Sequence, residues 1–215
     1  MTPRTKEQNE EIRLRRLAQI RMAAADVFLA KGPLLEIRDV AVGAGLGYGT
    51  VYHYFSNKGD LLHDLLWDAL DRAGEWLKSL PEDTIRPGPP DRAALGVQLL
   101  KLWAEDHALY LLYKQAAEGF PSLPEARSSP LAAAFRREVL APLAAVLGWR
   151  AAADAAAEDG ATDGAAVSGG NAAVPQGHLQ YTEMLLAALA GCALLPLRRG
   201  QLAEEAGEIV RVLNL

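Results

Sequence analysis

The 215-residue sequence has a single cysteine, Cys192, so no intrachain disulfide can form. This scarcity is typical of a reducing compartment, and we expect a cytoplasmic protein with Cys192 as a buried structural thiol in an apolar helix. The amino end is polar and charged, unlike a secretory signal peptide. No clear run of about eighteen uncharged apolar residues is present, so we expect no membrane span.

The sequence also lacks the short motifs of common enzymes. It contains no phosphate-binding loop, dinucleotide fingerprint or nucleophile elbow. Its one compact acidic-histidine cluster is Glu105-Asp106-His107, and adjacent residues on a helix point in different directions. We therefore expect no catalytic residues, no metal site and no cofactor, and an enzyme in the carboxy-terminal part ranks last among the functions considered.

Alternating β-type patterns of useful length are absent, whereas apolar residues recur at helical spacing along most of the chain. We predict an all-α fold. The loops are predicted at 81–90 and 120–130, which are rich in proline, and at 151–177, an Ala-, Gly- and Asp-rich connector too poor in bulky apolar residues to pack. Between the last two loops we predict a helix over 131–149, with an earlier start left open.

The most informative segment runs from residue 37 to residue 62. Its first helix has one apolar stripe, formed by Ile37, Val40, Ala41 and Ala44. Gly45 stands where a left-handed residue often ends a helix, and Leu46 can fill the corner that follows. A second helix is predicted over about 48–54 with Gly47 as its N-cap. This arrangement is typical of a helix-turn-helix DNA reader.

The exposed face of the second helix suits duplex DNA. Val51 and Phe55 face inward, which leaves hydroxyl, imidazole and glycine positions outside. A recognition helix places its amino-terminal residues against base edges and other side chains against phosphates. Arg38, near the start of the first helix, can grip a guanine. The predicted DNA-binding residues are Arg38, Gly47, Tyr48, Gly49, Thr50, Tyr52, His53, Tyr54 and Lys58.

Charge is distributed unevenly along the chain. The formal net charge is −5, yet residues 1–60 hold nine Lys/Arg against seven Asp/Glu, a net of +2. The basic excess therefore lies with the helix-turn-helix segment. The positive side chains near the amino end can attract phosphates, although each of them alone is also typical of a solvated helix face. They are Arg4, Lys6, Arg13, Arg15 and Arg16.

Residues 12–66 resemble the DNA-binding domain of TetR-family transcriptional regulators. The resemblance rests on IRMAAADVFLAKG at 20–32, on Arg38-Asp-Val-Ala through Gly45-Leu46, on GTVYHYF at 49–55 and on Asn57-Lys58. It implies a homodimer of about nine helices per chain, with a three-helix DNA-binding domain at 1–56 and a bundle at 57–215 for dimerisation and ligand binding. By position, the base-reading residues are Arg38, Tyr48 and Gly49, and the backbone-holding residues are Thr50, Tyr52, His53, Tyr54 and Lys58.

The predicted function is a repressor that binds a near-palindromic double-stranded DNA operator as a dimer and is released by a small-molecule effector. Two departures from the family pattern support an alternative, a sensor or partner-binding module with weak or lost operator recognition. Glu36 occupies the usual Ser or Thr N-cap of the first motif helix, and its charge would repel a phosphate. Gly47 and Gly49 leave the recognition helix weakly capped.

The last part of the chain is strongly apolar over 179–197 and is followed by a helix predicted at 201–213. Packing within one subunit and pairing between two subunits explain this pattern equally well. The family resemblance favours a homodimer through about 179–213.

Aromatic residues concentrate in the middle of the chain. A pocket lined by aromatics with a few polar tips is typical of ligand sites, although aromatics at helical spacing are more often plain core. The candidate pocket residues are Trp67, Trp76, Trp103, His107, Tyr110, Tyr113 and Phe135.

Overall fold

Helices account for all the regular structure in the computed structural model, which describes residues 6–80, 92–147 and 176–215. Two helical segments, Glu125–Phe135 and Ala141–Leu147, are joined through a π-helical turn at Arg136–Leu140 and count as one helix, α7. The described ranges then hold nine helices, which confirms the all-α prediction: α1 Lys6–Lys31, α2 Ile37–Gly43, α3 Tyr48–Tyr54, α4 Lys58–Ser79, α5 Arg92–Glu105, α6 His107–Ala117, α7, α8 Gln176–Arg198 and α9 Leu202–Val212.

Helix α1 covers the back of the helix-turn-helix and also reaches the carboxy-terminal bundle. Ile20, Ala24 and Phe28 recur at intervals of four residues and are buried against α2, α4 and α6. The Gln19 side chain donates to the carbonyl oxygen of Ala44 at 2.6 Å, which ties α1 to the turn after α2. Gly32, with a φ of +60°, ends the helix in a conformation that favours glycine.

Helix α4 connects the DNA-reading part to the bundle. The Asn57 side chain accepts a hydrogen bond from the backbone N–H of Asp60 at 2.9 Å, which caps the first turn. A stripe of buried side chains then runs the length of the helix, and each leucine contributes about 1.5–3 kcal/mol through burial. The stripe comprises Leu61, Leu62, Leu65, Leu66, Ala69, Leu70, Ala73 and Leu77.

Helix α6 lies at the centre of the molecule, because it packs against α1, α4, α5 and α8. Most of its side chains are buried, including the polar side chain of Gln115. On the far side, α5 packs closely on α9, and a Cβ at Gly96 would lie only 3.0 Å from Cγ2 of Val210. A glycine at this position therefore permits the close approach of the two helices.

The structure corrects several predicted boundaries. The loop predicted at 120–130 is wrong in its second half, because α7 begins at Glu125 and contains Pro130. A proline removes one backbone donor, and the packing of Leu131 and Phe135 keeps the helix in place around it. Gln176 and Gly177, assigned to the connector, belong to α8. The rest of that connector and the 81–90 loop lie outside the described residues.

Helix α8 differs from expectation in two further respects. Cys192 is exposed, not buried, since it lies on the outer face of the helix. The helix is also long and apolar enough to cross a membrane, with a mean hydropathy of 1.3 over its best window, of which 33% is buried in the fold. This is weak evidence for a span, because core helices of other proteins show the same composition, and α8 packs against α5, α6, α7 and α9.

Candidate nucleic-acid interface

The turn between α2 and α3 is built by backbone hydrogen bonds around a left-handed glycine. Gly45 has a φ of +62°. Its N–H donates to Val42 O at 3.1 Å, and the next N–H, of Leu46, donates to Ala41 O at 2.9 Å. This paired pattern satisfies the last carbonyls of α2 and sends the chain sharply away from the helix axis. Gly45 and Leu46 therefore perform the roles that the sequence predicts.

Val51 and Phe55 anchor α3, since both are buried. Opposite them, the helix presents an aromatic surface to solvent. The rings of Tyr48 and Tyr52 stack at 5.7 Å with an interplanar angle of 28°, and they remain 51% and 50% exposed. Large aromatic side chains that are exposed on a helix surface can contact a binding partner.

The rest of the exposed face of α3 is small or polar. Thr50 and Tyr54 are half-buried, whereas Gly49 and His53 are exposed. A Cβ at Gly49 would meet no atom within 4 Å, so nothing inside the protein requires a glycine here. The lack of a side chain instead allows an external surface to approach the backbone of α3 closely.

Arg38 and Lys58 flank α3 and complete the surface. With Glu36 and Tyr48 they line an open groove of about 330 Å³ between the start of α2 and α3. The Lys58 ammonium donates to the Pro33 carbonyl at 2.8 Å, so it is positioned beside the groove. Arg38 is exposed. The structure thus brings Arg38, Tyr48 and Lys58 together on one surface with the exposed residues of α3.

The start of α2 explains how Glu36 serves as its N-cap. The Glu36 backbone N–H donates to the Asp39 carboxylate at 3.2 Å, and Lys31 binds the same carboxylate at 2.6 Å. The hydrogen bond from Lys31, aided by that from Glu36, lowers the pKa of Asp39. Asp39 therefore supplies the reciprocal half of a capping arrangement, and the Glu36 side chain remains exposed beside the groove.

Residues 20–65, which contain all of this geometry, match the family described as bacterial regulatory proteins, tetR family. The chain carries a TetR-family helix-turn-helix domain. This confirms the resemblance of residues 12–66 to the DNA-binding domain of that family. Comparison with curated protein sequences gives no match.

Solved structures of transcriptional regulators share the fold over nearly the whole chain. The fatty acid degradation regulator FadR of Bacillus halodurans is 18% identical with a TM-score of 0.55, covering 92% of this chain and 94% of its own. FadR of Bacillus subtilis, solved with stearoyl-CoA, is 19% identical with a TM-score of 0.50, covering 91% and 96%. A TetR-family regulator from Syntrophomonas wolfei is 20% identical with a TM-score of 0.51, covering 96% and 94%. These similarities show that the TetR-family domain continues into a bundle of the same fold.

A partly open cavity of about 350 Å³ lies between α6, α7 and α8 of the bundle. An ion pair between Arg136 of α7 and Glu183 of α8, with 2.9 Å between Nη2 and Oε1, lies in its lining. Phe120, in the turn after α6, has a φ of +57° and is almost fully buried. A bulky residue rarely adopts this conformation, so packing at the cavity stabilises the turn against local strain.

Four of the predicted pocket residues form one aromatic cluster at this cavity. Trp103 lies 5.1 Å from Tyr113 and 5.8 Å from Tyr110, and Tyr113 lies 5.5 Å from Phe135, measured between ring centroids. Tyr113 and Phe135 line the cavity directly. Trp103 and Tyr110 stand behind them as fully buried core.

The structure places the other three predicted pocket residues elsewhere. Trp67 is half-buried on α4 and donates its indole N–H to His63 at 3.0 Å. Trp76 is half-buried on the same helix. His107 begins α6, and its Nδ1 lies 2.6 Å from Oδ1 of Asp26 on α1, in a separate polar cleft of about 540 Å³.

Two polar atoms of the aromatic cluster are buried without a partner among the described residues. They are the Tyr113 hydroxyl and the Trp103 indole nitrogen. The Tyr110 hydroxyl, by contrast, donates to the Ala190 carbonyl at 3.2 Å. Burial raises the pKa of Tyr113 strongly, and burial raises that of Tyr110 to about 12. Unsatisfied buried hydroxyls cost free energy, so Tyr113 has unused hydrogen-bonding capacity beside the cavity.

Sequence reasoning missed several residues that line this cavity. Phe120 lay in a predicted loop, and Arg136, Leu140, Glu183 and Leu186 carry no local signal for a pocket. Residues from α6, α7 and α8 meet there only because the helices fold together. A pattern along the sequence does not show which residues of separate helices lie close together in space.

Proposed function

We propose that this TetR-family protein is a dimeric repressor that binds a near-palindromic operator and is released by a small molecule. The observation that carries the proposal is the exposed face of α3. Its stacked Tyr48–Tyr52 pair, the open approach to Gly49 and the adjoining Arg38 groove offer hydrogen-bonding and stacking groups to an outside partner. A recognition helix uses such groups in the major groove.

Within this proposal, Arg38, Tyr48 and Gly49 read base edges, because they surround the open groove and the start of α3. Thr50, Tyr52, His53, Tyr54 and Lys58 position the protein on the DNA backbone, and Gly47 provides the N-cap of α3. Residues 1–56 form the DNA-binding domain and 57–215 the effector and dimerisation domain, in the cytoplasm.

The test begins with duplexes selected by the protein from a random pool, followed by fluorescence anisotropy at several salt concentrations. Lys58→Ala should weaken binding to all sequences and lower its salt dependence, since one phosphate contact accounts for a slope of about 0.9. Arg38→Ala should instead relax base preference at one position, at a cost of about 1–3 kcal/mol for the preferred base. Unchanged binding in both variants would contradict the assigned surface.

The proposed dimer uses the outer face of α8. Tyr181, Met184, Ala188, Gly191 and Leu195 follow one another at intervals of three and four residues, the spacing of a helix-pairing seam. Met184 and Leu195 are 68% and 64% exposed, and the small residues between them permit close approach of a second helix. A second copy of the chain would bury this stripe with the exposed side of α9.

Sedimentation velocity tests the dimer. Met184→Glu should give monomers and reduce operator affinity, because a buried unpaired charge is costly and two recognition helices about 34 Å apart are needed for both half-sites. Met22→Glu is the matched control, since Met22 on α1 is 66% exposed but lies far from the seam in sequence and on another helix. A dimeric Met184→Glu protein would exclude this interface.

For the effector we propose a compact, mainly apolar molecule in the cavity of about 350 Å³, packed against the rings of Tyr113 and Phe135. That volume is at the lower end of small-molecule sites. Acyl-CoA thioesters of graded chain length are suitable first probes, because FadR of Bacillus subtilis was solved with stearoyl-CoA. Under this proposal the apolar acyl chain enters the cavity and the charged CoA moiety remains outside. The measurement is release of labelled operator. Ala132→Trp should block release by filling the cavity, and exposed Ala133→Trp on the same helix is the control.

Helix α6 offers a route from the cavity to the DNA reader. Its middle, at Tyr113 and Ala116, lines the cavity, and its first residue, His107, bonds to Asp26 of α1. Helix α6 also packs along α4. A ligand that favours a shifted α6 would thereby change the spacing of the two recognition helices. It releases DNA only if it binds that shifted state more tightly.

A second candidate is a sensor or partner-binding module with weak operator recognition. It is favoured by the exposed Glu36 carboxylate, which lines the same groove as Arg38 and Lys58. Under this alternative, the random-pool selection yields no preferred duplex. Any binding to DNA is then salt-dependent but does not distinguish one sequence from another. Glu36→Ser then provides a direct check, because it removes the charge and retains an N-cap. If Glu36→Ser creates sequence-selective binding, Glu36 is the reason for the weak recognition.

A further inference from the structure

Helix α1 begins well before the segment that matches the TetR-family model. The family match starts at residue 20, whereas α1 starts at Lys6. From Lys6 to Arg16 only Ile12 is even half-buried, so this part of the helix makes almost no core contact. Most helical stability in proteins comes from packing of an apolar face, which this segment lacks. Its exposed surface is therefore available to a partner.

The charged residues of this segment are arranged by face. Arg13 precedes Leu17 and Ile20 by four and seven positions, and Arg16 precedes Ile20 by four, so these residues share one side of α1. Ile20 is completely buried on the side that packs against the helix-turn-helix. Arg13 and Arg16 therefore lie on the same side of α1 as Ile20, in the exposed turns that precede the buried part of the helix. Arg15, between them, points to a different side.

Two contacts place this side of α1 next to the helix-turn-helix. A Cβ at Gly43, the last residue of α2, would lie 3.6 Å from Cβ of Ala23 and 3.5 Å from Cγ2 of Val27. Ala23 follows Arg16 by seven positions, so the side of α1 that carries Arg16 faces α2. The pKa of Arg13 is raised, chiefly by its hydrogen bonds to Glu10 and in smaller part by the nearby phenol of Tyr54. Arg13, three positions before Arg16, continues this side of α1 toward the amino end.

Glu10 is paired with Arg13 and competes with phosphate for it. Arg13 donates to both carboxylate oxygens of Glu10, at 2.9 and 2.8 Å, and both side chains are about half exposed. Exposed ion pairs of this kind contribute little to stability, so exchange of Glu10 for another anion costs little. Arg16 has no ion-pair partner among the residues that the structure describes.

We propose that Arg13 and Arg16 bind the DNA phosphates that flank the operator half-site, so that the amino-terminal turns of α1 form a second DNA-contacting element. This inference rests on the proposed function, since it needs the recognition helix to dock on duplex DNA. Charge complementarity and continuity with the surface of α3 both indicate duplex DNA as the occupant. Phosphate contacts supply affinity without reading sequence.

The test measures operator affinity of the full chain against salt concentration. Arg13→Gln/Arg16→Gln should lower the magnitude of the log–log salt slope by about 0.9 for each lost phosphate contact, or about 2 per protomer. Affinity at moderate salt should fall by roughly tenfold or more, with base preference unchanged. Glu10→Gln should act in the opposite direction and strengthen binding.

Arg15→Gln is the matched control, because it removes the same charge from the same turns of α1 on a different side. The salt slope of Arg15→Gln should change by much less than the slope change expected for the loss of Arg13 or of Arg16. Gln and Arg have similar helix propensities, so circular dichroism and the urea midpoint should stay the same in all variants.

An unchanged salt slope in Arg13→Gln/Arg16→Gln, with a wild-type protein that binds its operator, would overturn this inference and leave the proposed function intact. An equal loss in Arg15→Gln would also overturn it, since diffuse net charge would then explain the effect. A wild-type protein without sequence-selective DNA binding contradicts the proposed function and this inference together.

Discussion

Arg21 of α1 holds Asp64 of α4 through two hydrogen bonds, Nε to Oδ2 at 2.7 Å and Nη2 to Oδ1 at 3.0 Å. The same guanidinium contacts Asp68, which also binds Arg72. Arg72 in turn contacts Asp106, the N-cap of α6. A continuous chain of charges therefore joins α1, α4 and the start of α6. The hydrogen bond to Asp64 is the main reason that the pKa of Arg21 is raised.

Replacement of Arg21 by Gln should lower the free energy of unfolding by about 1–2 kcal/mol. The loss arises because the carboxylates of Asp64 and Asp68, one turn apart and half-buried, would repel each other without the guanidinium. Urea denaturation measures the change. In an Asp64→Asn/Asp68→Asn background the same substitution should have little effect, and an equal loss there would mean that Arg21 stabilises by packing alone.

Gly45→Ala should destabilise the protein by about 1–2 kcal/mol, because a Cβ is strained at a φ of +62°. Gly49→Ala is the natural comparison, since it lies within α3 at an ordinary helical φ with no atom within 4 Å of the added carbon. It should stabilise by up to about 1 kcal/mol and weaken DNA binding, because its methyl projects toward the bases. Thermal unfolding and anisotropy measure the two effects. Equal stability changes would contradict the assigned turn.

Tyr113→Phe should leave the free energy of unfolding unchanged or raise it by up to about 1 kcal/mol, because its buried hydroxyl has no partner among the described residues. Tyr110→Phe should instead cost about 1 kcal/mol, since it loses the hydrogen bond to Ala190 O. Both variants remove the same atom from fully buried rings, so urea unfolding isolates the role of the hydrogen bond. A larger loss in Tyr113→Phe than in Tyr110→Phe would show that the Tyr113 hydroxyl is satisfied.

Stability should fall as the pH rises from about 10 to 12. The pKa of Tyr110 is about 12 in the folded protein against an ordinary value of 10.0, so in this window the folded state binds more protons than the unfolded state. The stabilisation is complete below pH 10 and is lost as the pH passes through the folded pKa. Burial raises the pKa of Tyr113 in the same direction.

Urea unfolding at stepped alkaline pH, with tyrosinate absorbance recorded in parallel, checks this expectation. In the Tyr110→Phe/Tyr113→Phe protein the decline should be shallower, because two of the groups that ionise on unfolding are gone. A decline of equal steepness in that variant would assign the alkaline sensitivity to other residues.

Local chemistry made the DNA-reading segment predictable. Gly45 ends α2 and Asn57 caps α4 through contacts with residues at most five positions away, and Val51 and Phe55 are inward by helical period alone. The start of α7 was less accessible, because Pro130 is a poor helix residue and only the packing of Leu131 and Phe135 keeps the helix intact. Cys192 was misjudged for a similar reason, since an apolar sequence does not reveal which side of α8 faces inward.

By itself, the sequence determined the all-α class, the turn between α2 and α3, the inward residues of α3 and the family of that domain, because each depends on neighbours within a few residues or on a short pattern. Only the tertiary structure decided that Tyr113 and Phe135 meet Arg136 and Glu183 around a cavity, while Trp67, Trp76 and His107 lie elsewhere. It also decided that the side of α1 that carries Arg16 and Ala23 faces α2. These relationships depend on how separate helices pack, and packing is set by the whole set of buried side chains at once.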